Sequence, residues 1–254
     1  MKWLRAVGMA FALYSRVPMP PLDWERESRR LTLHVFPLVG LAVSGAWALW
    51  LALCWALELG NVLRAVGMTL LPILVTGGIH MDGFCDVCDA LASHQSRERK
   101  LEILKDSRVG AFAVLGCVCY LLALFGLWCE VKFPDTKTLA AVLLMPLYSR
   151  CLSGWGALRL PNARGEGMLS AVTGRGFPWT LVLGGLLCVA ALGALNPWYL
   201  LPAAAGLAVY FYYKHTALKE FGGVTGDLAG WFLQLCELGC LAGLVLAQRL
   251  EALL

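Results

Sequence analysis

The feature that most constrains this chain is a series of long apolar segments separated by short polar connections. An α-helix needs about 20 predominantly apolar residues to cross the hydrocarbon core of a bilayer. Segments near that length with few charged residues recur along the sequence. They lie near 35–57, 62–79, 109–128, 138–158, 180–195, 198–213 and 228–248. The sequence therefore predicts an all-α, polytopic membrane helix bundle with about seven transmembrane helices.

The composition supports this class of protein. Hydrophobic residues make up 59% of the 254 residues and charged residues only 15%, which leaves too little polar surface for a soluble domain of this size. The formal net charge is +4, without the basic patch of nucleic-acid-binding proteins, so we expect no nucleic-acid partner. The ten cysteines fall mostly inside apolar segments, and we expect no disulfide framework. No long polar linker is present, so we expect residues 1–254 to form a single membrane-embedded domain.

The basic residues indicate how the chain is oriented. Segments 1–34, 80–108, 150–179 and 214–227 carry 17 of the 21 Lys and Arg residues. These segments lie on one side if seven helices alternate, and cytoplasmic loops are enriched in Lys and Arg. We therefore expect these segments to face the cytoplasm. The N-terminus lacks a signal-peptide cleavage site and is expected to be a retained amphipathic or half-inserted helix.

A cluster of aspartates follows the second apolar segment, in the sequence TGGIHMDGFCDVCDAL of residues 76–91. Asp82, Asp86 and Asp89 are spaced so that, on a helix, they fall at about 0°, 40° and 340° around the axis. Three carboxylates on one face are typical of a site for a hard cation such as Mg²⁺, which bridges carboxylates to substrate phosphates. The alternative is that they are solvated aspartates at the membrane boundary.

Glycines and a histidine surround these aspartates. Gly77, Gly78 and Gly83 would let the backbone approach phosphate oxygens, although glycines in membrane helices also serve close packing. His80 is a candidate phosphate donor or general base. A zinc site formed by His80, Cys85, Cys88 and His94 is a further alternative.

Two later segments carry polar residues at the same predicted side of the membrane. Residues 105–108 read KDSR, and their cations are candidates to bind a transferring phosphoryl group, or else to anchor the helix at the membrane surface. Residues 222–227 read GGVTGD, and Asp227 is either an N-cap or part of the site. Glu237 lies about three turns into the last apolar segment, where an unpaired carboxylate is costly. We expect Arg150 to be its partner.

These elements resemble the cobalamin synthase family, also called adenosylcobinamide-GDP ribazoletransferase, over nearly the whole chain. The resemblance rests on VPMP at 17–20, HVFPLVGL at 34–41, GGIHMDGFCDVCDAL at 77–91, ILKDSRVGAF at 103–112, Ser149-Arg150, and GGVTGDLAG at 222–230 with Glu237. It implies a magnesium-dependent transferase that joins adenosylcobinamide-GDP to α-ribazole or its 5′-phosphate and releases GMP. It also implies a bacterial or archaeal inner membrane, with the active site facing the cytoplasm.

Spacing, sidedness and this resemblance together assign the site residues. The predicted catalytic residues are His80, Asp82, Lys105 and Arg108. The predicted substrate-binding residues are Gly77, Gly78, Gly83, Ser107, Arg150 and Thr225. The predicted Mg²⁺ ligands are Asp82, Asp86, Asp89, Asp106, Asp227 and Glu237.

Other functions remain open at this point. A CDP-alcohol phosphotransferase also combines membrane helices with aspartates, but its DGxxAR segment is absent, since Asp82-Gly83 is followed by Asp86 without Ala-Arg. A cation transporter would place carboxylates near the bilayer midplane, where only Glu237 lies. A scaffold protein would leave the acidic face unexplained. Association into a homo-oligomer or with other enzymes of cobalamin synthesis is left open.

Overall fold

The computed structural model describes residues 2–165, 172 and 177–253. Within these residues the chain is helical almost throughout, and its β-type pairing is limited to one parallel bridge between Asn162 and Val224. Arg175, one of the predicted cytoplasmic cations, lies outside the described residues.

Eleven helices occur in the described part of the chain. They are α1 (Lys2–Tyr14), α2 (Arg26–Leu31), α3 (Pro37–Ala56), α4 (Asn61–Thr76), α5 (Ile79–Ala92), α6 (Arg97–Ile103), α7 (Ala111–Glu130), α8 (Thr136–Arg159), α9 (Trp179–Leu195), α10 (Leu200–Thr216) and α11 (Gly226–Glu251). Short 3-10 turns cover Leu33–Val35 and Pro197–Tyr199, and a π-helical turn covers Ala217–Phe221.

Each of the seven predicted segments contains one of these helices. By length and composition, α3, α7 and α11 could each cross a membrane, and α4 with α5 forms a further candidate pair that is bent by 96°. The chain is thus an all-α, multi-pass membrane bundle, as predicted, while the number of seven spans stays a prediction. Because α5 turns by 96°, it does not continue α4 along one axis, and nearly all of it falls in segment 80–108, which the sequence predicts to lie outside the spans.

Helix α11 lies at the centre of the bundle, packed against α5, α7, α8 and α10. Small residues allow the closest approaches. A side chain added at Gly83 of α5 would meet the backbone of Asp227 at 2.7 Å, and one at Gly230 of α11 would meet the backbone of His80 at 2.9 Å. Gly83, predicted to bind substrate, therefore serves helix packing in this structure. The start of α5 is held tightly against the start of α11.

The outer faces of the bundle are apolar. Large side chains such as Leu122, Leu183 and Leu186 are 59–64% exposed, a pattern that suits lipid as the surrounding solvent. The predicted N-terminal helix is present as α1, which packs through Ala6 and Ala10 onto the start of α3 and onto α11. This packing brings the end of α1 to the start of α5.

The turn between α4 and α5 depends on two glycines. Gly77 and Gly78 have φ angles of 67° and 81°, a left-handed conformation that side chains disfavour. They end α4 and redirect the chain into α5. Their structural role is therefore the turn itself, which differs from the substrate contact that we predicted.

Candidate active site

A cavity of roughly 210 Å³ opens where α1, the first 3-10 turn, α5, α8 and α11 meet. Its wall combines apolar, aromatic and polar side chains with the N-terminal turn of α11. Its lining residues include Tyr14, Leu33, Phe36, His80, Asp82, Ser153, Ala157, Asn162, Arg164, Thr225, Gly226, Asp227, Ala229 and Leu233. Four of the predicted site residues, His80, Asp82, Thr225 and Asp227, are among them.

Three carboxylates come together at this cavity. Asp82 and Asp227 line it, and Asp86 lies one turn along α5 from Asp82. Burial, together with repulsion from Asp82, Asp227 and Asp89, raises the pKa of Asp86 from 3.8 to about 6. Residues 82–89 are helical, which is the condition under which the three aspartates share one face. The structure adds the first turn of α11 to the same acidic group.

Asp89 has a different set of partners. Its Oδ2 accepts a hydrogen bond of 2.6 Å from the backbone N–H of Gly110, and its Oδ1 accepts one of 2.8 Å from that of Ala113. These donors belong to the start of α7, where backbone N–H groups lack helical partners. Asp89 therefore caps α7, and its predicted role as a Mg²⁺ ligand finds no geometric support.

The N-terminus of α11 is capped by Thr225. Its hydroxyl accepts a hydrogen bond from the N–H of Leu228 at 3.2 Å. Asp227 lies inside the first turn instead of at the cap, where its charge faces the positive end of the helix dipole. The cap leaves the Asp227 carboxylate available to the cavity and to one cation, Arg164.

Arg164 was not predicted from the sequence. Its Nη2 donates to Asp227 Oδ2 at 3.1 Å, and the side chain is 21% exposed. Asn162 shapes this segment, because its Oδ1 accepts hydrogen bonds from the N–H groups of Arg164 and Gly165. The polar run after the fourth apolar segment was the only local signal for these residues. The partner of Arg164, Asp227, is 63 positions away.

The backbone of this segment pairs with the GGVTGD segment. Val224 N–H donates to Pro161 O at 2.8 Å, and Ala163 N–H donates to Val224 O at 3.0 Å. A side chain added at Gly223 would lie 2.3 Å from Pro161 O. Only glycine allows this approach, so Gly223 determines how Arg164 meets Asp227.

Helix α6 supports the same segment from the other side. Lys100, which is 6% exposed, forms an ion pair with Glu220 in the π-helical turn, and this pairing lowers the pKa of Glu220. Arg97 donates to the carbonyl oxygens of Leu218 and Lys219. The turn before GGVTGD is thus fixed by cations of α6.

Three buried donor-type atoms at the cavity have no hydrogen-bond partner in the protein. They are His80 Nε2, Asn162 Nδ2 and Arg164 Nε. Buried polar atoms are nearly always satisfied in folded proteins. All three residues line the cavity, but the three atoms themselves are covered by protein.

Beneath the cavity lies a buried ion pair. Arg150 Nη1 donates to Glu237 Oε1 at 2.6 Å, and Ser149 Oγ donates to the same oxygen at 3.2 Å. The prediction that Arg150 is the partner of Glu237 is confirmed. Arg150 is 1% exposed and does not line the cavity, so its predicted contact with substrate is not supported. Glu237 is likewise committed to Arg150, which leaves its predicted metal role without support.

Residues 105–108 lie apart from the cavity. Asp106 pairs with the largely exposed Arg108, with Arg108 Nη2 at 2.7 Å from Asp106 Oδ2, and this pairing lowers the pKa of Asp106 to about 2. Neither these residues nor the exposed Lys105 and Ser107 line the cavity. The predicted catalytic cations Lys105 and Arg108 are therefore not part of the cavity wall.

A divalent cation would have few protein ligands at this cavity. Across residues 2–165, 172 and 177–253, no three or more His, Cys, Asp or Glu side chains are arranged to enclose an ion, so the zinc alternative has no support there. Mg²⁺ commonly takes only one or two carboxylates, together with phosphate oxygens and water. Asp82, Asp86 and Asp227 supply hard oxygen atoms whose mutual repulsion a cation would relieve. A Mg²⁺ ion here would therefore be held by one or two of these carboxylates, with its other ligands from substrate and water.

Known proteins resemble this chain over most of its length. An adenosylcobinamide-GDP ribazoletransferase of Lachnoclostridium phytofermentans is 36% identical over 253 residues, covering 98% of this chain and 96% of the relative. Enzymes of the same name from Desulfitobacterium hafniense and Leptothrix cholodnii are 36% and 33% identical over 249 and 253 residues. Each alignment covers 94% of this chain, and 96% and 94% of the respective relatives. No solved structure matches the chain.

The sequence profile described as cobalamin-5-phosphate synthase matches residues 6–245. Since this match spans nearly the whole chain and relatives exceed 30% identity over almost their full length, the chain belongs to the cobalamin-5-phosphate synthase family.

Proposed function

We propose that this protein joins adenosylcobinamide-GDP to α-ribazole, or to α-ribazole 5′-phosphate, and releases GMP as a late step of cobalamin synthesis. The proposal is supported by the name shared by its relatives. The observation that carries it is the acidic cavity lined by Asp82 and Asp227, with Asp86 one turn further along α5. An oxygen-rich, negatively charged site is suited to metal-dependent chemistry on a diphosphate.

The proposed reaction is a phosphoryl-group transfer. A hydroxyl of the ribose attacks the phosphorus that carries the cobinamide. A new P–O bond forms, and the bond from that phosphorus to the bridging oxygen breaks. GMP leaves with the electron pair of the broken bond. The proton of the attacking hydroxyl passes to a base of the protein.

The residues at the cavity have the chemistry that these steps require. One or two of Asp82, Asp86 and Asp227, with phosphate oxygens and water, would hold Mg²⁺, which would neutralise diphosphate charge and stabilise the leaving phosphate. Asp82, or His80 beside it, is proposed as the base for the attacking hydroxyl. Arg164 is the cation nearest these carboxylates in the described cavity wall, and we propose that it binds a phosphate oxygen. The predicted roles of Lys105 and Arg108 in phosphate binding stay predictions.

The setting proposed for this reaction is the inner membrane of a bacterial or archaeal cell. The excess of Lys and Arg in segments 1–34, 80–108, 150–179 and 214–227 supports a cytoplasmic position for the cavity. Both substrates are charged and soluble, which agrees with access from the aqueous side.

The test is a reconstituted reaction. Detergent-purified protein is given adenosylcobinamide-GDP and α-ribazole 5′-phosphate, with Mg²⁺ or with a chelator, and GMP and the corrinoid product are measured. We expect stoichiometric formation of both products, dependent on Mg²⁺. A parallel reaction contains a CDP-activated lipid and an alcohol acceptor. Turnover only in that parallel reaction would replace the proposal with CDP-alcohol phosphotransferase activity.

A further inference from the structure

The cavity has two chemically different halves. Asp82, Asp227 and Arg164 form a charged half, which the proposed phosphoryl transfer uses. The other half is apolar and is formed by Tyr14, Leu33, Phe36 and Leu233, with His80 at its border. The proposed phosphoryl transfer does not use this apolar half.

The apolar half has an aromatic wall. The ring centroids of Tyr14 and Phe36 lie 4.6 Å apart, and those of Phe36 and His80 lie 6.0 Å apart. The rings of Tyr14 and His80 are nearly parallel, at an angle of 23° and a distance of 6.3 Å. Phe36 is 3% exposed, and the Arg150 guanidinium carbon lies 5.9 Å from its ring centroid. A fixed aromatic surface of this kind suits a flat heterocycle.

Small side chains leave room beside this wall. Ser153 and Ala157 line the cavity from α8, and Gly226 and Ala229 line it from α11. A side chain added at Gly226 would meet nothing within 4 Å. The volume of roughly 210 Å³ is below that of sites that enclose a whole drug-sized ligand, about 300–1,000 Å³. The cavity therefore has room for one part of a substrate, such as a single base, and not for a corrin macrocycle.

The apolar lining selects among bases, because it offers few polar atoms to pair with a ligand. A benzimidazole nucleoside offers one free ring nitrogen and an otherwise apolar surface. Guanine carries several donors and acceptors along its edge, and most of them would be unpaired against Leu33, Phe36 and Leu233.

We infer that the pocket formed by Tyr14, Leu33, Phe36, His80 and Leu233 binds the benzimidazole base of the acceptor nucleoside, so that α1 and the first 3-10 turn determine acceptor specificity. The inference rests on the proposed function, because that function supplies the acceptor. The base lies in the apolar half, and the ribose oxygen that attacks reaches the carboxylates at the other half. The N-terminal elements of this membrane enzyme thus belong to its substrate site.

The test measures binding of the acceptor separately from catalysis. Equilibrium dialysis is carried out with the full-length detergent-purified protein and α-ribazole, without the corrinoid donor. Ala229→Leu fills the cavity from α11 at little cost in helix propensity, and Phe36→Leu removes aromatic surface. Ala123→Leu and Phe211→Leu are matched controls on the exposed outer faces of α7 and α10.

We expect Ala229→Leu and Phe36→Leu to weaken α-ribazole binding by about tenfold or more, equivalent to about 1.4 kcal/mol. In the full reaction, the KM for the acceptor should rise by a similar factor, while the KM for adenosylcobinamide-GDP changes little. Both controls should bind α-ribazole as the unchanged protein does. GMP should not compete with α-ribazole for binding.

Two results would overturn the inference while leaving the proposed function intact. One is an active enzyme in which both variants keep normal acceptor binding and acceptor KM. The other is loss of GMP binding in Ala229→Leu with α-ribazole binding unchanged, which would assign the pocket to guanine. An unchanged protein that forms no corrinoid product but is well folded would instead contradict the proposed function. If one variant does not fold, the other provides the same measurement.

Discussion

Glu237 and Arg150 meet inside the helix bundle, with Glu237 Oε1 2.6 Å from Arg150 Nη1 and both side chains at most 10% exposed. Charged groups at this depth are costly when unpaired, because neither lipid nor apolar side chains can solvate them. The pair joins α8 to α11, the central helix that carries Asp227 at its start. The pair therefore helps to fix α11, and with it Asp227, relative to α8.

Removing one partner of this pair should destabilise the protein strongly. We expect Glu237→Gln and Arg150→Met each to lower the free energy of unfolding by about 3–5 kcal/mol, because each leaves the other partner uncompensated. The double variant Arg150→Met with Glu237→Leu should lower the free energy of unfolding by less than the sum of the two single decreases. Unfolding in mixed detergent micelles measures these values. Glu102→Gln, at the exposed Arg99–Glu102 pair, is the control and should change little; equal costs at both pairs would contradict the prediction.

The carboxylates of the cavity should make stability depend on pH and on Mg²⁺. The pKa of Asp86 is raised from 3.8 to about 6 in the folded protein, so the folded state binds this proton more tightly than the unfolded state. Its contribution to stability therefore falls as pH rises from about 4 through about 6. In buffer without divalent cations, Asp86→Asn should be more stable than the unchanged protein above pH 6. The difference should vanish near pH 4.

Mg²⁺ should stabilise the protein at the pH values where ionised Asp86 destabilises it. We expect Mg²⁺ to raise the melting temperature of the unchanged protein at pH 7.5, and to raise it less as pH falls through about 6, because the cation competes with a proton at Asp86. Asp86→Asn should lose most of the Mg²⁺ response, and Asp106→Asn, in an exposed segment, should keep it. Thermal denaturation with a Mg²⁺ titration measures both. A full response in Asp86→Asn would remove Asp86 from the metal site.

Asp89 should behave as a cap and not as a metal ligand. Asp89→Ala leaves the N–H groups of Gly110 and Ala113 without their acceptor, and we expect it to lower the free energy of unfolding by about 1 kcal/mol. The loss should be the same with and without Mg²⁺. Asp89→Asn keeps one acceptor oxygen and should lose less. A Mg²⁺ response that disappears in Asp89→Ala would restore the role as a ligand that the sequence pattern predicted.

The parts of the site that follow from local periodicity could be predicted from the sequence. The spacing of Asp82, Asp86 and Asp89 indicated one helical face, and the cost of burying Glu237 indicated that it needs a partner. Arg150 was identifiable because few cations occur inside the apolar segments. In each case the periodicity of one helix, or the cost of burying one charge, was enough to make the prediction.

The remaining parts depend on contacts between distant segments. Asp89 lies on the predicted face, but its oxygens are directed to the start of α7, more than 20 residues away. Arg164 reaches Asp227 because Pro161 and Ala163 pair with Val224, a register that no local pattern specifies. Residues 105–108 share a predicted membrane side with the aspartates, yet a common side does not place them in the cavity wall.

The pairing of these two segments provides a last prediction about activity. Gly223→Ala adds a Cβ that would lie 2.3 Å from Pro161 O, so the segments must separate and Arg164 must shift relative to Asp227. Misplacement of a phosphate-binding cation by about 1 Å can reduce the rate by about 10²-fold, and we expect a loss of that order in the rate of GMP release. The helices should remain, because the change lies outside them. Gly126→Ala, where an added side chain meets nothing within 4 Å, is the matched control and should keep full activity. Restoration of Gly223→Ala activity by high substrate concentration would indicate weaker binding alone, whereas a lower kcat at saturation would show that the register of these segments positions the reacting groups.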